Sequence, residues 1–473
     1  MRARSLMVGG TASHVGKSWM ATAICRYLHH RGVLVAPFKA QNMSNNSYPC
    51  AGGGEIGRAQ VAQAEACGLE PCPDMNPILL KPTGDRGSQV VVQGKVWRDL
   101  SAREYYQHHD LLMSKVAESY ERMASRFEFL VVEGAGGIAE LNLRKTDLVN
   151  LGLAAPFDIP VLLVADIDRG GVFAAVHGTI DLLSPRSRGL VQAFAINRFR
   201  GDPTLFAEGV EILESKTGKP CLGVFPFALD IELDAEDSVS LDTQPVHQND
   251  SEPAIAILRF PRISNLTDFR LLGNVRWIDR PTDETFHAVI LPGSKAPASD
   301  LAWMRARGLD RWVVDQHAAA VRILGICGGY QILGQAIEDP HGVEADEPVS
   351  RGLGLLAVRT VLEREKVTER VRAQTLGGHL FDAYEIHVGR TEEPQDASPL
   401  AWIGARPVGI RVGQCAGCYL HGALEDPAVV EEWLGFVPRS GQPKEDAYDA
   451  MASWFEQHAR SDVVKRLIPA HGS

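Results

Sequence analysis

Residues 9–18 read Gly-Gly-Thr-Ala-Ser-His-Val-Gly-Lys-Ser and lie between an apolar run at residues 5–8 and a segment with helical periodicity. A glycine-rich turn from a strand into a helix offers backbone N–H groups and the positive end of the helix dipole to phosphate oxygens. Lys17 would reach the outer phosphates, and the Ser18 hydroxyl would bind Mg²⁺. The stretch therefore predicts a site for ATP and Mg²⁺, with a purely structural turn as the alternative.

The spacing of this loop is one residue longer than the usual phosphate-binding pattern. Counting back from Gly16 puts Thr11 where the first glycine belongs, and Gly10 stands one place earlier. The order of strand, turn and helix supplies the context that the motif requires. We therefore expect the nucleotide to contact Gly10, Thr11 and Gly16 in addition to Lys17 and Ser18.

The alternation of elements predicts the fold class. From residue 5 to about 227, strand-like apolar runs alternate with helical segments, which is typical of a parallel sheet covered by helices. Residues 230–253 are acidic and almost without large apolar side chains, as in a linker, and the alternation restarts at residue 254. We predict an α/β protein with a P-loop ATP-binding domain at residues 1–229, an acidic linker at 230–253 and a second α/β domain at 254–473.

Three further polar residues in the first half are candidate ligands. Glu133 ends the apolar run at residues 129–132, at the edge where open α/β sheets bind ligands, and is a candidate Mg²⁺ ligand. Glu55 is expected to open a helix, where it would either stabilise the helix dipole or bind the same metal ion. Asn197 closes another predicted strand and is a candidate for reading the nucleotide base.

A second chemical site is predicted at residues 325–329, which read Gly-Ile-Cys-Gly-Gly between a strand-like run and an apolar helix. Glycines permit the sharp turn of a nucleophile elbow, which exposes Cys327 above the sheet. The N–H of Gly328 and an N–H from the turn at Gly293 would form an oxyanion hole. A buried structural cysteine is the alternative, and the flanking glycines favour a nucleophile.

A thiol nucleophile needs a base. His421 ends an apolar strand well downstream of Cys327, but His387 also ends a strand-like run, so the residues favour His421 without excluding His387. Cys415 and Cys418 have the spacing of a metal or redox pair. No second pair stands at zinc-site spacing, and we expect no metal there.

Composition narrows the class of partner. The 473 residues carry 48 Lys and Arg against 59 Asp and Glu, a net charge of −11, which argues against nucleic acid or anionic lipid as the main partner. No apolar run approaches the ~18–20 residues of a membrane helix, and no signal-peptide core is present, so we expect a cytoplasmic protein without membrane partners. The eight cysteines are expected to be free thiols.

The two predicted sites resemble those of known enzymes. The second half resembles a class I glutamine amidotransferase domain, in which a cysteine takes the glutamyl group from glutamine and frees ammonia. The first half resembles the dethiobiotin synthetase type of P-loop enzyme, whose loop carries the same extra residue. Nearly the whole chain resembles the cobyric acid synthase family of cobalamin biosynthesis. The further segments that carry this resemblance are residues 37–43, 55–60, 133–136, 166–171, 261–265 and 384–387.

That resemblance implies amidation of the b, d, e and g carboxylates of adenosylcobyrinic acid a,c-diamide, with ATP and glutamine as co-substrates and acyl phosphates as intermediates. It makes Cys327 and His421 the glutaminase pair. In many class I amidotransferases a glutamate stands two residues after the histidine, whereas this chain has Ala423 there and Glu425 as its next acid. The third member of the site therefore stays unassigned, as does the oligomeric state.

Two alternatives remain. The related cobyrinic acid a,c-diamide synthases carry an acid in a Gly-Pro-Asp context where this chain has Gln41 and Asn42. A non-catalytic P-loop ATPase scaffold would retain Lys17 but would not need a glycine-flanked Cys327.

Overall fold

A computed structural model of the chain describes residues 3–83, 87–228, 231, 253–344, 347–438 and 443–468. Almost all of the predicted linker at 230–253 lies outside the described residues. Each half is built on its own sheet, so the predicted α/β fold class is confirmed.

The first half contains twelve described strands and eight described α-helices. The strands are β1 (Arg4–Gly10), β2 (Val35–Phe38), β3 (Gln41–Met43), β4 (Ser47–Pro49), β5 (Glu55–Gly57), β6 (Ile78–Pro82), β7 (Gly87–Val92), β8 (Lys95–Ser101), β9 (Phe129–Glu133), β10 (Val161–Asp166), β11 (Val191–Phe199) and β12 (Cys221–Pro226). The helices are α1 (Lys17–His30), α2 (Arg58–Ala66), α3 (Ala102–Gln107), α4 (His109–Arg126), α5 (Leu151–Ala154), α6 (Val172–Leu182), α7 (Pro185–Leu190) and α8 (Ala207–Thr217).

Six of these strands form a parallel sheet in the order β12-β11-β10-β1-β9-β2. Helices cover both faces, which is why its strands are nearly continuous apolar runs. Within the sheet, Val8 of β1 pairs with Glu133 of β9. The glycine-rich loop after β1 and the carboxylate at the end of β9 therefore share one edge, where such sheets bind ligands.

A second, four-stranded sheet in the order β3-β6-β7-β8 was not predicted. The predicted helix start at Glu55 is wrong, because Glu55 lies in β5, which pairs antiparallel with β4, and α2 begins three residues later at Arg58. The pairing of β5 with β4 outweighs the local helical pattern. Glu55 therefore does not cap a helix.

The second half contains thirteen described strands and six described α-helices. The strands are β13 (Ile255–Leu258), β14 (Ile263–Ser264), β15 (Val275–Ile278), β16 (Ala288–Leu291), β17 (Gly293–Ser294), β18 (Arg322–Ile326), β19 (Ala336–Glu338), β20 (Val349–Arg351), β21 (Arg359–Thr375), β22 (Leu380–Glu392), β23 (Ser398–Ile403), β24 (Arg406–Val412) and β25 (Cys415–Cys418). The helices are α9 (Pro297–Arg307), α10 (Leu309–Ala318), α11 (Gly328–Leu333), α12 (Pro427–Leu434), α13 (Lys444–His458) and α14 (Ser461–Leu467).

The core of the second sheet is parallel, in the order β15-β13-β16-β18-β25, and it continues through antiparallel strands β24, β23 and β21. The long strands β21 and β22 form a hairpin. Through Lys366 and Arg370 this hairpin makes ion pairs with Glu55 and Glu70 of the first half. The two halves thus meet through charged side chains as well as packing.

The last two helices depart from the predicted second domain of 254–473. Helix α13 packs on α1 of the first half, with Trp454 against Trp19 and Phe455 against Tyr27 at ring-centroid distances of 6.1 and 4.9 Å. Both helices contribute to the apolar core on that face of the first sheet. The end of the chain therefore belongs structurally with the ATP-binding half, since its apolar faces are buried there.

Candidate active sites

The glycine-rich loop has a conformation that only small residues allow. Gly16 caps α1 in the left-handed region at φ +94°, and a Cβ there would collide with the amide of Asn197. That amide donates to the carbonyl oxygen of Val15 at 2.9 Å. Asn197 thus lies at the loop and holds its backbone, and the predicted contact with the base remains a prediction.

Lys17 lies across the same loop. Its Nζ donates to the carbonyl oxygens of Ala12 at 2.9 Å and Gly136 at 3.0 Å. Gly10 is packed closely, since a Cβ there would lie 2.9 Å from the oxygen of Ala12. Thr11 adjoins the segment after β9, where a Cβ on Gly137 would lie 3.0 Å from the Thr11 oxygen. The predicted nucleotide-binding residues therefore lie together.

Ser18 and Glu133 also come together at this edge. The Ser18 hydroxyl donates to Oε1 of Glu133 at 2.8 Å, and Lys39 forms an ion pair with the same oxygen at 2.7 Å. The Gln63 amide donates to the other carboxylate oxygen. Carboxylate and hydroxyl oxygens are ligands that Mg²⁺ prefers, so Ser18 and Glu133 fit a metal site. The sequence did not indicate the roles of Lys39 and Gln63.

Glu55, the other predicted metal ligand, is not part of this group. Its buried carboxylate accepts hydrogen bonds from Ser47 and Lys81, both at 2.8 Å, and forms an ion pair with Lys366. Burial opposes its ionisation, but the two lysines outweigh burial and hold the pKa of Glu55 well below its usual range. A carboxylate engaged by two ammonium groups is a structural ion pair between the halves, and the structure does not bring it to Ser18 or Glu133.

Cys327 stands on the predicted elbow between β18 and α11. Its backbone adopts φ +52°, and its N–H donates to the carbonyl oxygen of Cys418 at 2.8 Å. A Cβ on Gly329 would collide with the carbonyl group of Leu291. A non-glycine residue at positive φ costs free energy. Such strained residues are often found where a side chain must be presented for chemistry.

Both glycines of the predicted oxyanion hole lie beside the thiol-bearing turn. A Cβ on Gly328 would lie 2.8 Å from the backbone nitrogen of Ser294, and a Cβ on Gly293 would lie 2.9 Å from Cε1 of His421. The turn at Gly293, the elbow and the histidine thus form one cluster. Donation by these N–H groups to an oxyanion remains a prediction.

His421 is fully buried and is held by a residue that the sequence analysis missed. Its Nδ1 donates to Oδ2 of Asp268 at 2.8 Å, and the other Asp268 oxygen accepts from the N–H of Gly422 at 2.7 Å. Burial alone would lower the pKa of His421, but Asp268 and the Cys327 side chain outweigh it and raise that pKa to about 10. Among the described residues, Nε2 of His421 has no hydrogen-bond partner, which leaves it for the thiol or for substrate.

Asp268 is the candidate for the third member of the site formed by Cys327 and His421, which the sequence left unassigned. Glu425, the nearest acid after His421 in sequence, instead pairs with Arg58 at 3.3 Å and Lys444 at 2.8 Å. The available signal for Asp268 was its position three residues beyond the segment 261–265, which carried part of the family resemblance.

His387 also borders the thiol but is differently placed. Its Nδ1 lies 2.7 Å from the carbonyl oxygen of Gly389, and its ring stacks on Tyr419 at 3.8 Å. Burial lowers the pKa of His387 to about 4. A neutral ring without a carboxylate partner is a weaker base than His421, so the geometry favours His421.

The cavity at the thiol is small and is shared between the halves. Its volume is about 40 Å³. Cys327 and His387 line it from the second half, whereas Asn45, Ser47 and Lys81 line it from the first. The ATP-binding half therefore helps to build the pocket of the thiol site.

Cys415 and Cys418 lie at the two ends of β25, and both are buried. Three residues apart on a strand, their side chains point to opposite faces of the sheet. One metal ion between these two thiols would require a different backbone.

Comparisons with known proteins match both halves of the chain. The model of the CobQ/CobB/MinD/ParA nucleotide binding domain matches residues 6–241, and that of the CobB/CobQ-like glutamine amidotransferase domain matches residues 254–429. A cobyric acid synthase of Syntrophobacter fumaroxidans is 44% identical over 99% of both chains. One of Sorangium cellulosum is 42% identical, again over 99% of both chains. The chain belongs to the cobyric acid synthase family.

The chain is also similar to a probable cobyric acid synthase of Methanoculleus marisnigri. The two are 44% identical over 98% of this chain and 99% of the other. The family membership makes the chain a glutamine-dependent carbon–nitrogen ligase of cobalamin biosynthesis, in which a nucleotide-binding domain precedes a glutamine amidotransferase domain. Among the described residues, no helix has the length and apolar character needed to cross a bilayer.

Proposed function

We propose that the chain converts the b, d, e and g carboxylates of adenosylcobyrinic acid a,c-diamide to amides, using ATP and ammonia from glutamine. The observation that carries this proposal is the shared cavity at Cys327, whose wall includes Ser47 and Lys81 of the ATP-binding half. Ammonia formed in that cavity arises at the boundary with the half that would activate the carboxylate.

Glutamine hydrolysis follows from the groups around Cys327. The sulfur attacks the amide carbonyl carbon, and the thiol proton passes to Nε2 of His421, a transfer favoured by the raised pKa of that ring. The tetrahedral oxyanion would accept hydrogen bonds from the N–H groups of Gly328 and Gly293. As ammonia leaves it takes the proton from His421, and water then hydrolyses the glutamyl thioester to glutamate and the free thiol. Asp268 holds the ring in the orientation that this sequence of transfers needs.

Carboxylate activation follows from the groups around the loop. An oxygen of the corrinoid carboxylate attacks the γ-phosphorus of ATP, ADP leaves, and ammonia displaces phosphate from the resulting acyl phosphate. Lys17 would stabilise the negative charge on the transferred group. Ser18 and Glu133 would hold Mg²⁺, which supplies further neutralisation of phosphate charge.

Mass spectrometry of the corrinoid product tests the proposal. The purified protein is incubated with cobyrinic acid a,c-diamide in its adenosylated form, ATP, Mg²⁺ and glutamine. We expect four successive conversions of carboxylate to amide, none of which occurs without ATP. In a parallel incubation with cobyrinic acid in place of the diamide, amidation only at the a and c positions would identify a diamide synthase. ATP hydrolysis without any corrinoid product in either incubation would identify a scaffold ATPase.

A further inference from the structure

A second cavity lies beside the ATP-binding loop, between the sheet β3-β6-β7-β8 and the segment that follows β9. Its volume is about 510 Å³, within the roughly 300–1,000 Å³ of small-molecule sites. Apolar side chains of the sheet, including Leu80, Val90 and Leu100, form one wall, and Ile138 and Leu148 belong to the other. These five side chains belong to neither of the sites described above.

The cavity adjoins the phosphate-binding loop through two glycines. Gly136 and Gly137 line the cavity, and the oxygen of Gly136 accepts the hydrogen bond from Lys17 at 3.0 Å. On the same side, a Cβ on Gly137 would lie 3.0 Å from the oxygen of Thr11. A carboxylate at this end of the cavity is therefore close to the phosphates that the loop would hold.

The rim of the cavity exposes large apolar side chains. Met43, Tyr106, Leu141 and Leu143 all line it, with 55, 43, 50 and 41% of their surfaces exposed. Single exposed apolar residues are ordinary, but four around one cavity indicate a ligand with an extended apolar edge.

The lining contains one basic side chain and two acidic ones. Arg144 lies in the lining, where its guanidinium donates to the hydroxyl of Ser184 at 2.9 Å. Of the two acids, Asp147 accepts three hydrogen bonds from backbone N–H groups of the following turn. Glu140 and Arg144 are both exposed to solvent, which screens both charges.

We propose that this cavity binds the acceptor of the amide groups, an amphiphilic polycarboxylate of the corrinoid class. One acidic arm reaches Gly136 and Gly137, and the apolar edge of the macrocycle lies against Leu141 and Leu143. The inference rests on the proposed function for the identity of the acceptor. It adds the place of binding: the acceptor enters from the side of the small sheet, and the nucleotide from the loop.

The test places a negative charge on the apolar rim. Leu143→Glu is compared with Leu205→Glu, because Leu205 is a leucine of the same half, 83% exposed and not part of the lining. Binding of cobyrinic acid a,c-diamide is measured by equilibrium dialysis using the absorbance of the corrinoid, and KM is measured for corrinoid, ATP and glutamine. We expect Leu143→Glu to weaken corrinoid binding and raise its KM by at least about tenfold. KM for ATP should not change, and Leu205→Glu should resemble the unmodified enzyme.

Unchanged dialysis and unchanged KM for corrinoid in folded Leu143→Glu would overturn the inference. Should that variant fail to fold, Leu141→Glu, on the same rim, decides by the same two measurements. If the unmodified enzyme amidates the corrinoid but both rim variants bind it normally, the inference fails and the proposed function stands. If the unmodified enzyme binds corrinoid at the rim but forms no amide, the proposed function fails and the cavity assignment stands.

Discussion

The carboxylate of Asp268 lies 2.8 Å from Nδ1 of His421, although 153 residues separate them, and both side chains are buried. This contact occupies Nδ1 of the ring and leaves Nε2 for the Cys327 side chain, which also raises the pKa of His421. The acid that contacts the histidine therefore comes from a segment before Cys327 in the sequence, and not from the residues that follow His421.

Asp268→Asn should reduce glutamine-dependent synthesis by about 10²–10⁴-fold, because the amide no longer stabilises the charged ring or selects its tautomer. Without the carboxylate, the pKa of His421 should fall from about 10. The pH above which glutaminase activity declines because the ring loses its proton should therefore be lower. Glu425→Gln is the control, since that acid pairs with Arg58 and Lys444. An unchanged glutaminase pH profile in Asp268→Asn would remove Asp268 from the site.

The same pair predicts a pH dependence of stability. Because the pKa of His421 is raised from 6.5 to about 10, the folded state binds the ring proton more tightly than the unfolded state does. The stabilisation is complete below about pH 6.5 and is lost as the pH rises through about 10. Urea unfolding should therefore show a smaller decrease in the free energy of unfolding between about pH 7 and 9.5 for Asp268→Asn than for the unmodified protein. Equal decreases would contradict the assignment.

Cys327→Ser and Lys17→Ala should separate the two chemistries. The serine variant should lose glutamine-dependent synthesis by orders of magnitude but retain synthesis from ammonium salt, because ammonia attacks the acyl phosphate directly. Lys17→Ala should lose both activities. Product is measured with each nitrogen source at about pH 8–9, where more ammonia is unprotonated. Cys72→Ser controls for the loss of a thiol outside the site.

Normal use of glutamine by Cys327→Ser would refute the nucleophile assignment. Loss of the ammonia reaction in a folded serine variant, as complete as in Lys17→Ala, would refute the division of labour between the halves.

Glu133→Gln should raise the Mg²⁺ concentration needed for half-maximal synthesis while glutamine hydrolysis continues, since the amide is a poorer ligand than a carboxylate. Glu55→Gln is the matched comparison. It should leave the Mg²⁺ requirement unchanged but lower stability by about 3 kcal/mol, because Lys81 and Lys366 lose their buried partner. A raised Mg²⁺ requirement in Glu55→Gln would restore the metal-ligand hypothesis for that residue.

Two parts of the sites could be predicted from contiguous segments, and Glu133 and His421 could be predicted from the apolar runs that precede them. The loop around Lys17 and the elbow around Cys327 each contain glycines at positions where the backbone geometry admits little else, so the local pattern carries the information. Asp268 could not be assigned in the same way, because its contact with His421 arises only when two distant segments pack together.

Glu55 was misread for a related reason. Its neighbours in sequence resemble the start of a helix, whereas its actual partners are a strand eight residues upstream and a lysine 311 residues downstream. The packing of α13 on α1 of the first half also joins segments that are far apart in the sequence. A helical pattern shows that an apolar face exists but not which core will cover it.

A cavity of about 40 Å³ beside Cys327 holds about three water molecules, but it cannot hold glutamine, since benzene alone occupies a cavity of about 150 Å³. In this conformation the space beside the thiol is therefore too small for the substrate of the proposed glutaminase reaction. To admit glutamine the walls must separate, and Ser47 and Lys81 of the ATP-binding half are among those walls. Because these walls come from both halves, admission of glutamine requires a movement of the first half relative to Cys327.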